Sequence, residues 1–197
     1  MKYQTALSIF ASCSALLGCA LAPSSYSNLR AEEPLPGPNE SIIVFGTNAT
    51  RMWLYFSPGA FEPEDRVFTP SAGSPLIYTV PSADEPYVAV RVPANTSYVL
   101  GKAQSKDGWA TIKLSFCRKT QTLGFTAPAG KVLYVGNMQF IQLPKESAMS
   151  LPTYKLEYVD DFEGARKFMR SHYPALVPAL ESGEGFVVGE TKGNCWR

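Results

Sequence analysis

The sequence predicts a mainly β protein, an antiparallel β-sandwich with one or two C-terminal helices packed on it. Short apolar segments recur about every 8 to 12 residues between residues 41 and 142, with turn residues between them, as in sandwiches and barrels. The chain is rich in strand-forming and turn-forming residues, with 10 Tyr, 11 Phe and 16 Pro among 197 residues. A helical spacing of apolar residues occurs late, at about residues 160–182.

The first 18 residues have the layout of a secretory signal peptide. Lys2 is the one charged residue before Arg30, and an apolar run extends from about Ala6 to Leu17. A membrane-spanning helix needs about 20 consecutive apolar residues, so this run is too short to remain as an anchor by itself. We therefore expect residues 1–18 to be removed from the mature protein.

The apolar run closes on Leu16-Leu17-Gly18-Cys19, which resembles the lipobox of bacterial lipoproteins. In that family the chain is cut before the Cys, so the resemblance implies a mature protein that begins at an acylated, palmitate-bearing Cys19. Ala20 follows, and the lack of Asp at this position resembles lipoproteins sorted to the outer membrane of Gram-negative cells. The resemblance implies a lipid-anchored envelope protein that faces the periplasm. The alternative is ordinary signal-peptidase cleavage, which gives a secreted protein in which Cys19 has no role.

Residues 19–40 predict a flexible tether between the lipidated Cys and the folded part. The segment is dominated by Pro, Ser, Asn and Glu, a composition that cannot bury much apolar surface and favours an extended spacer. Residues 41–197 are then expected to form a single β-sandwich domain, which is long enough to bury a hydrophobic core.

Several features of the β region predict its local structure. Residues 41–46 form a continuous apolar run typical of a buried strand, and residues 51–57 are expected to be its hairpin partner. Pro58-Gly59 predicts the end of that second strand. Gly136 interrupts a long apolar run at residues 131–141, which predicts a bulge or a close approach of backbone.

A second resemblance involves the turn Pro93-Ala94-Asn95 and the run Phe125-Thr126-Ala127-Pro128-Ala129-Gly130-Lys131-Val132-Leu133-Tyr134-Val135-Gly136. These segments are similar to small envelope lipoproteins of unknown function, which often carry a transthyretin-like or immunoglobulin-like β-sandwich. The likeness covers about Tyr87 to Phe140. It implies a fold and no activity.

The C-terminal helix is predicted to begin near Asp160, because Asp160 precedes Glu163 at the spacing of a capping box. It should end before Pro174, since the residue ahead of a proline is disfavoured in the α conformation. The apolar residues expected to share its buried face are Phe162, Ala165, Phe168 and Met169.

Charge and motifs narrow the class of function. The formal net charge is +1, from 18 basic and 17 acidic residues without blocks, which disfavours a nucleic-acid surface and a polybasic membrane patch. The sequence lacks a phosphate-binding glycine loop, a serine nucleophile elbow and a metalloprotease helix, so we predict neither a cofactor nor an enzyme.

Of the four cysteines, Cys117 and Cys195 are left once the leader and Cys19 are set aside. We predict that they form a disulfide, because the expected compartment is oxidising; the alternative is two buried thiols. Two Cys and the single histidine, His172, do not complete a zinc site of four ligands, so no metal is predicted.

Trp53 and Tyr55 fall on one face of the second predicted strand and form a candidate ligand platform for sugar or peptide. The alternative is that both rings belong to the core.

The predicted function is a non-enzymatic, membrane-tethered binding or structural module whose partners are the membrane and an envelope protein or polysaccharide. A carbohydrate-binding module that uses Trp53 and Tyr55 is one alternative.

The other alternative is a secreted hydrolase. It would use Asp160 and Asp161 in a cleft with His172 or Tyr173. The simpler role for the acids is capping the helix, and the simpler role for His172 is that of a cation near the helix C-terminus.

Overall fold

The computed structural model describes residues 29–49, 52–72, 76–79, 84, 86–105, 113–116, 120–144 and 153–192. The strands are β1 (Glu40–Thr47), β2 (Met52–Glu62), β3 (Val67–Pro70), β4 (Leu76–Thr79), β5 (Tyr87–Pro93), β6 (Thr96–Ser105), β7 (Lys113–Ser115), β8 (Thr122–Ala127), β9 (Val132–Gln142), β10 (Tyr154–Val159), β11 (Leu180–Ser182), β12 (Gly185–Val188) and β13 (Glu190–Thr191). The helix α1 is Phe162–His172, followed by a 3₁₀ helix at Pro174–Ala179. Within the described residues no helix is long and apolar enough to cross a membrane.

The strands form two sheets that pack face to face, which confirms the predicted β-sandwich. Sheet A has the order β10-β9-β1-β5, with β11 also paired to β9. Sheet B has the order β12-β8-β6-β2-β3-β13, with β4 beside β2 and β7 beside β6. Most neighbours are antiparallel, and the pairs β1–β9, β11–β9 and β13–β3 are parallel.

The main core lies between the two sheets. Because side chains alternate along a strand, β1 directs Ile43 and Phe45 into this core. The ring of Phe56 on β2 lies 5.5 Å from that of Phe45 and 5.5 Å from that of Phe125 on β8, centroid to centroid. These aromatic contacts join the two sheets at their centre.

The helices cover the outer face of sheet A. Ile42 and Val44 of β1 point to this side and pack with Ala165 and Met169 of α1 in a second buried cluster. The centre of sheet A at β1 is therefore buried on both faces, which explains why β1 is a continuous apolar run. The helical segment predicted at about 160–182 forms helices from Phe162 to Ala179, whereas Leu180–Ser182 is the strand β11. Of the predicted buried face, Ala165 and Met169 are buried, and Phe162 and Phe168 are partly buried.

The predicted hairpin between the first two strands is wrong. β1 pairs with β5 and β9 in sheet A, whereas β2 pairs with β3, β4 and β6 in sheet B. Both strands are apolar, and local pattern does not distinguish a hairpin from a crossing between layers.

β2 also continues through Pro58-Gly59 to Glu62 instead of ending there. On one side of β2, pairing with β4 ends at Phe56 and pairing with β3 begins at Gly59. Pro58 falls between the two partners, where its missing N–H interrupts no ladder hydrogen bond.

The chain from Gly185 to Thr191, here called the C-terminal strap, closes sheet B into a small barrel. Its first part, β12, pairs with β8 at one edge of the sheet, and its last part, β13, pairs with β3 at the other edge. The barrel interior buries Phe68, Val99 and Val188. Within the described residues the strap thus covers the outer edges of both β8 and β3.

Part of the predicted tether packs on the domain. Leu29 contacts the cluster between sheet A and the helices. Arg91 of β5 forms ion pairs with Glu33 at 3.0 Å and with Glu40 at 2.7 Å, and its guanidinium also donates to the carbonyl oxygen of Pro34 at 2.7 Å. Among the described residues, contacts with the domain are thus already present at Leu29, ahead of residue 41.

Candidate functional site

An open cleft lies at the edge of sheet A, where pairing along β9 is interrupted. β11 pairs with residues 132–134 of β9, and β10 pairs with residues 137–142. Both partners end at the interruption, β10 at Val159 and β11 at Ser182. After β10 the chain continues into α1, and after β11 it continues into the C-terminal strap. The cleft is the space left between these two exits.

Gly136 makes the interruption. Its φ is +110°, and the register between β1 and β9 shifts here, with Val44 opposite Tyr134 but Gly46 opposite Asn137. A Cβ at Gly136 would lie 2.7 Å from Cδ1 of Tyr158. The predicted bulge is therefore present at this residue, and the neighbour that approaches it closely is the Tyr158 ring.

The cleft has a volume of about 300 Å³ and combines aromatic and acidic side chains. Tyr158, which is partly exposed, supplies the aromatic part, whereas the Tyr134 ring is buried beneath the helix; Asp160 and Glu184 are exposed carboxylates at the two exits of the cleft. Neither carboxylate has an ion-pair partner among the described residues. The arrangement can hold a positively charged group against an aromatic surface.

Tyr158 holds the back of the cleft rigid. Its hydroxyl donates to the carbonyl oxygen of Gly124 on β8 at 2.8 Å, which links sheet A to sheet B. Burial raises the pKa of Tyr158 far above its ordinary value, so it stays a neutral donor. A Cβ at Gly185 would lie 2.2 Å from Cζ of Tyr158, so the glycine lets the C-terminal strap pass the ring.

Asp161 anchors α1 beside the cleft. Its carboxylate accepts hydrogen bonds from the backbone N–H of Gly164, at 3.1 Å, and from the hydroxyl of Tyr87. Its own N–H donates to the hydroxyl oxygen of Tyr134 at 2.9 Å. Burial, and then the Asp161 carboxylate, raise the pKa of Tyr87 well above its ordinary value.

Asp161 is therefore the N-cap of α1, and the prediction that Asp160 caps the helix is wrong. The two residues are adjacent in sequence, and the partners that select Asp161 come from β5 and β9. The Asp160 carboxylate therefore does not cap the helix and lines the cleft instead.

The residues considered for a hydrolase do not come together. Asp160 and Asp161 precede the first turn of α1, and His172 is its last residue. A helix of 11 residues is about 16 Å long, so the acids and the imidazole lie at opposite ends. The His172 ring packs 4.8 Å from that of Phe168, centroid to centroid, and Tyr173 is buried under the helix.

Trp53 and Tyr55 lie on the outer face of sheet B, each half-buried, while Leu54 and Phe56 on the same strand fill the core. The Lys102 ammonium lies 4.2 Å from the centroid of the Tyr55 ring. The two rings thus share a face, as predicted, and this face is not the core between the sheets.

Cys19, Cys117 and Cys195 lie outside the described residues, so the lipidation and the disulfide stay predictions. In the part of the chain that the structure describes, no three His, Cys, Asp or Glu side chains are grouped closely enough to hold a metal ion.

Reasoning from the sequence missed the contribution of Glu184 and Tyr158 to the cleft. The stretch Gly183-Glu184-Gly185 signals a turn, but its partner across the cleft is distant in the chain. No family model, curated protein or solved structure matches this chain.

Proposed function

We propose that this protein is a lipid-anchored protein of the cell envelope whose β-sandwich is a non-enzymatic binding module. The lipobox-like motif at Cys19 supports the anchor. The cleft supports the binding function, and it is the observation that carries the proposal: two carboxylates without ion-pair partners among the described residues flank an aromatic surface. The ligand class that fits is a positively charged group of an envelope protein or polysaccharide.

The affinity of such a site for a cation is limited because its carboxylates are exposed to water. Asp160 and Glu184 are exposed, and a charge pair about 4 Å apart in water contributes only about 1 kcal/mol. The Tyr158 ring excludes water from one side of the ligand, which strengthens the attraction. Membrane attachment raises the local concentration of protein near envelope partners, so a weak contact is sufficient.

The cleft is tested with the double variant Asp160→Asn, Glu184→Gln. The lipidated protein is used to capture partners from detergent-solubilised envelope, and captured material is quantified by mass spectrometry. The control is Glu157→Gln, Glu163→Gln, which removes the same charge from surfaces outside the cleft. We expect the cleft variant alone to lose the captured partner. Equal capture by the two variants would contradict a role for the cleft.

The anchor is tested by intact-mass measurement of the mature protein and by fractionation of Cys19→Ser. We expect acyl mass on a chain that begins at Cys19, and loss of the variant from the membrane fraction. An unmodified N-terminus at Ala20 or Leu21 would instead establish ordinary secretion.

A second candidate is a carbohydrate-binding module, favoured by the half-exposed rings of Trp53 and Tyr55 on one sheet face. Trp53→Ala should then abolish retardation in a native gel that contains envelope polysaccharide. Thr69→Ala, at an exposed position of the same sheet, is the control. Unchanged retardation of both variants would remove this candidate.

A further inference from the structure

We propose that the exposed face of α1 rests on the anionic phospholipid surface to which Cys19 is anchored. The basic face consists of Arg166, Lys167 and Arg170. This inference depends on the proposed function, because it takes the lipid anchor as given, and it adds the orientation of the domain on the membrane.

The basic face is produced by helical periodicity. Residues at i, i+1 and i+4 fall within an arc of about 100°, and all three side chains are exposed, directed away from the buried Ala165 and Met169. Arg166 forms a long ion pair of 3.8 Å with Glu163, the acidic residue on this face. The sequence has no block of basic residues, and the helix gathers three of them on one surface.

The position of Leu29 relates the basic face to the anchor at Cys19. Leu29 packs in the same cluster as the buried side of α1, on the outer face of sheet A. The ion pairs of Arg91 with Glu33 and Glu40 hold the residues that follow against the same sheet. Leu29, the most N-terminal described residue, therefore lies on the side of the domain that carries the helix.

Chain length then limits the distance to the bilayer. Cys19 precedes Leu29 by ten residues, which span at most about 35 Å when fully extended. A lipid at Cys19 keeps the helical side of the domain within that distance, and sheet B lies on the far side of sheet A. The tether is long enough for α1 to reach the headgroups.

Attraction between the basic face and the membrane is short-ranged and additive. Anionic headgroups attract basic side chains within a Debye length of about 8 to 10 Å. Three charges alone would bind weakly, but the anchor already holds the domain at high local concentration, so a small attraction decides its orientation. In this orientation α1 faces the bilayer and the platform on sheet B faces away from it.

The test measures the reactivity of single lysines on vesicles. The full lipidated protein is reconstituted in phosphatidylcholine vesicles with and without phosphatidylglycerol, and the rate of amine acylation is followed by mass spectrometry. We expect Lys167 to react about threefold or more slowly on the anionic vesicles, with the rate restored by high salt. Lys192, which follows β13 on sheet B, is the exposed control and should react at the same rate on both vesicles. Equal rates for Lys167 on the two vesicles would overturn the inference.

A variant confirms which residues are responsible. Arg166→Gln, Arg170→Gln should restore fast acylation of Lys167 on anionic vesicles, with an unchanged circular dichroism spectrum. Persistent protection of Lys167 in this variant would also overturn the inference.

Failure of the anchor is separated from failure of the orientation by a surrogate tether. The mature chain carries a hexahistidine tag in place of Cys19 and is bound to nickel-chelating vesicles with and without phosphatidylglycerol. Protection of Lys167 there supports the basic face even if the natural chain proves not to be acylated. Absence of protection on these vesicles refutes the orientation while the acyl mass still reports on the anchor.

Discussion

At the scale of single residues, Asp160 and Asp161 show how adjacent carboxylates acquire different roles. Asp161 is held by the Tyr87 hydroxyl and the Gly164 N–H, whereas Asp160 lines the cleft without an ion-pair partner among the described residues. A local capping rule does not separate them, because the selecting groups come from distant strands.

Asp161→Ala should lower the free energy of unfolding by about 1 to 3 kcal/mol, since it removes the helix cap and leaves the Tyr87 hydroxyl without its acceptor. Asp160→Ala is the matched control and should change it by less than about 0.5 kcal/mol. Urea denaturation measures both values. A larger loss for Asp160→Ala would show that the cap is assigned to the wrong residue.

Two buried tyrosines make stability depend on alkaline pH. Burial raises the pKa of Tyr134 and of Tyr98 to about 12, from an ordinary value of 10.0. The unfolded chain therefore loses these protons first, and the free energy of unfolding should fall as pH rises from 10 to 12. Below pH 10 this contribution is fully present.

Chemical denaturation at a series of pH values checks this prediction, and Tyr98→Phe should make the decline shallower. A free energy of unfolding that stays constant from pH 9 to about pH 12 would contradict the burial of these hydroxyls.

At the scale of elements, β9 is the strand around which the site is built. It pairs with β1 along one side and with β11 and then β10 along the other. Its bulge at Gly136 changes which residues face the core, so that Val135 before it and Met138 after it both point between the sheets. The cleft exists because neither neighbour continues past this bulge.

Gly136→Ala should destabilise the protein by about 2 kcal/mol or more, because a new Cβ meets both a positive φ and the Tyr158 ring. The control is Gly130→Ala: Gly130 also has a positive φ, +70°, but a Cβ added there would meet nothing within 4 Å. It should cost only about 1 kcal/mol. Thermal unfolding compares the two, and equal losses would mean that the close approach contributes nothing.

At the scale of the whole molecule, β11 and the C-terminal strap that follows it join the helices to both sheets. The chain leaves the helices, adds β11 to sheet A, crosses the cleft and then pairs with both edges of sheet B. The rings of Phe61 and Phe186 stack with centroids 3.8 Å apart where the strap meets β2. One short segment of chain therefore lines the cleft and closes the barrel.

Removal of residues 184–197 should abolish cooperative unfolding or cause aggregation, because it exposes the apolar barrel interior and two strand edges. Removal of residues 193–197 alone keeps β12 and β13 and is the control. Calorimetry and size-exclusion chromatography measure the outcome. A sharp transition in the shorter chain would show that the strap is dispensable.

Much of the local structure could be predicted from the sequence, because it depends on short-range patterns. The apolar run of β1 and the buried face of α1 were predictable from periodicity, and so was the irregularity at Gly136 from its place in an apolar run. The pairing of strands could not be predicted in the same way. The hairpin expected for β1 and β2 does not form, since sequence proximity alone does not determine which sheet a strand joins.

By itself the sequence determined the class of the fold, the buried strand β1 and the two residues that α1 buries, because hydrophobic periodicity is a local property. Only the tertiary structure decided how β1 and β2 divide between the sheets, that the C-terminal strap closes sheet B, and that Asp160 and Glu184 face one cleft. These features depend on contacts such as Gly185 with Phe125, between residues far apart in the chain. Such contacts form when the apolar faces of many elements are buried simultaneously, and no short segment encodes that packing.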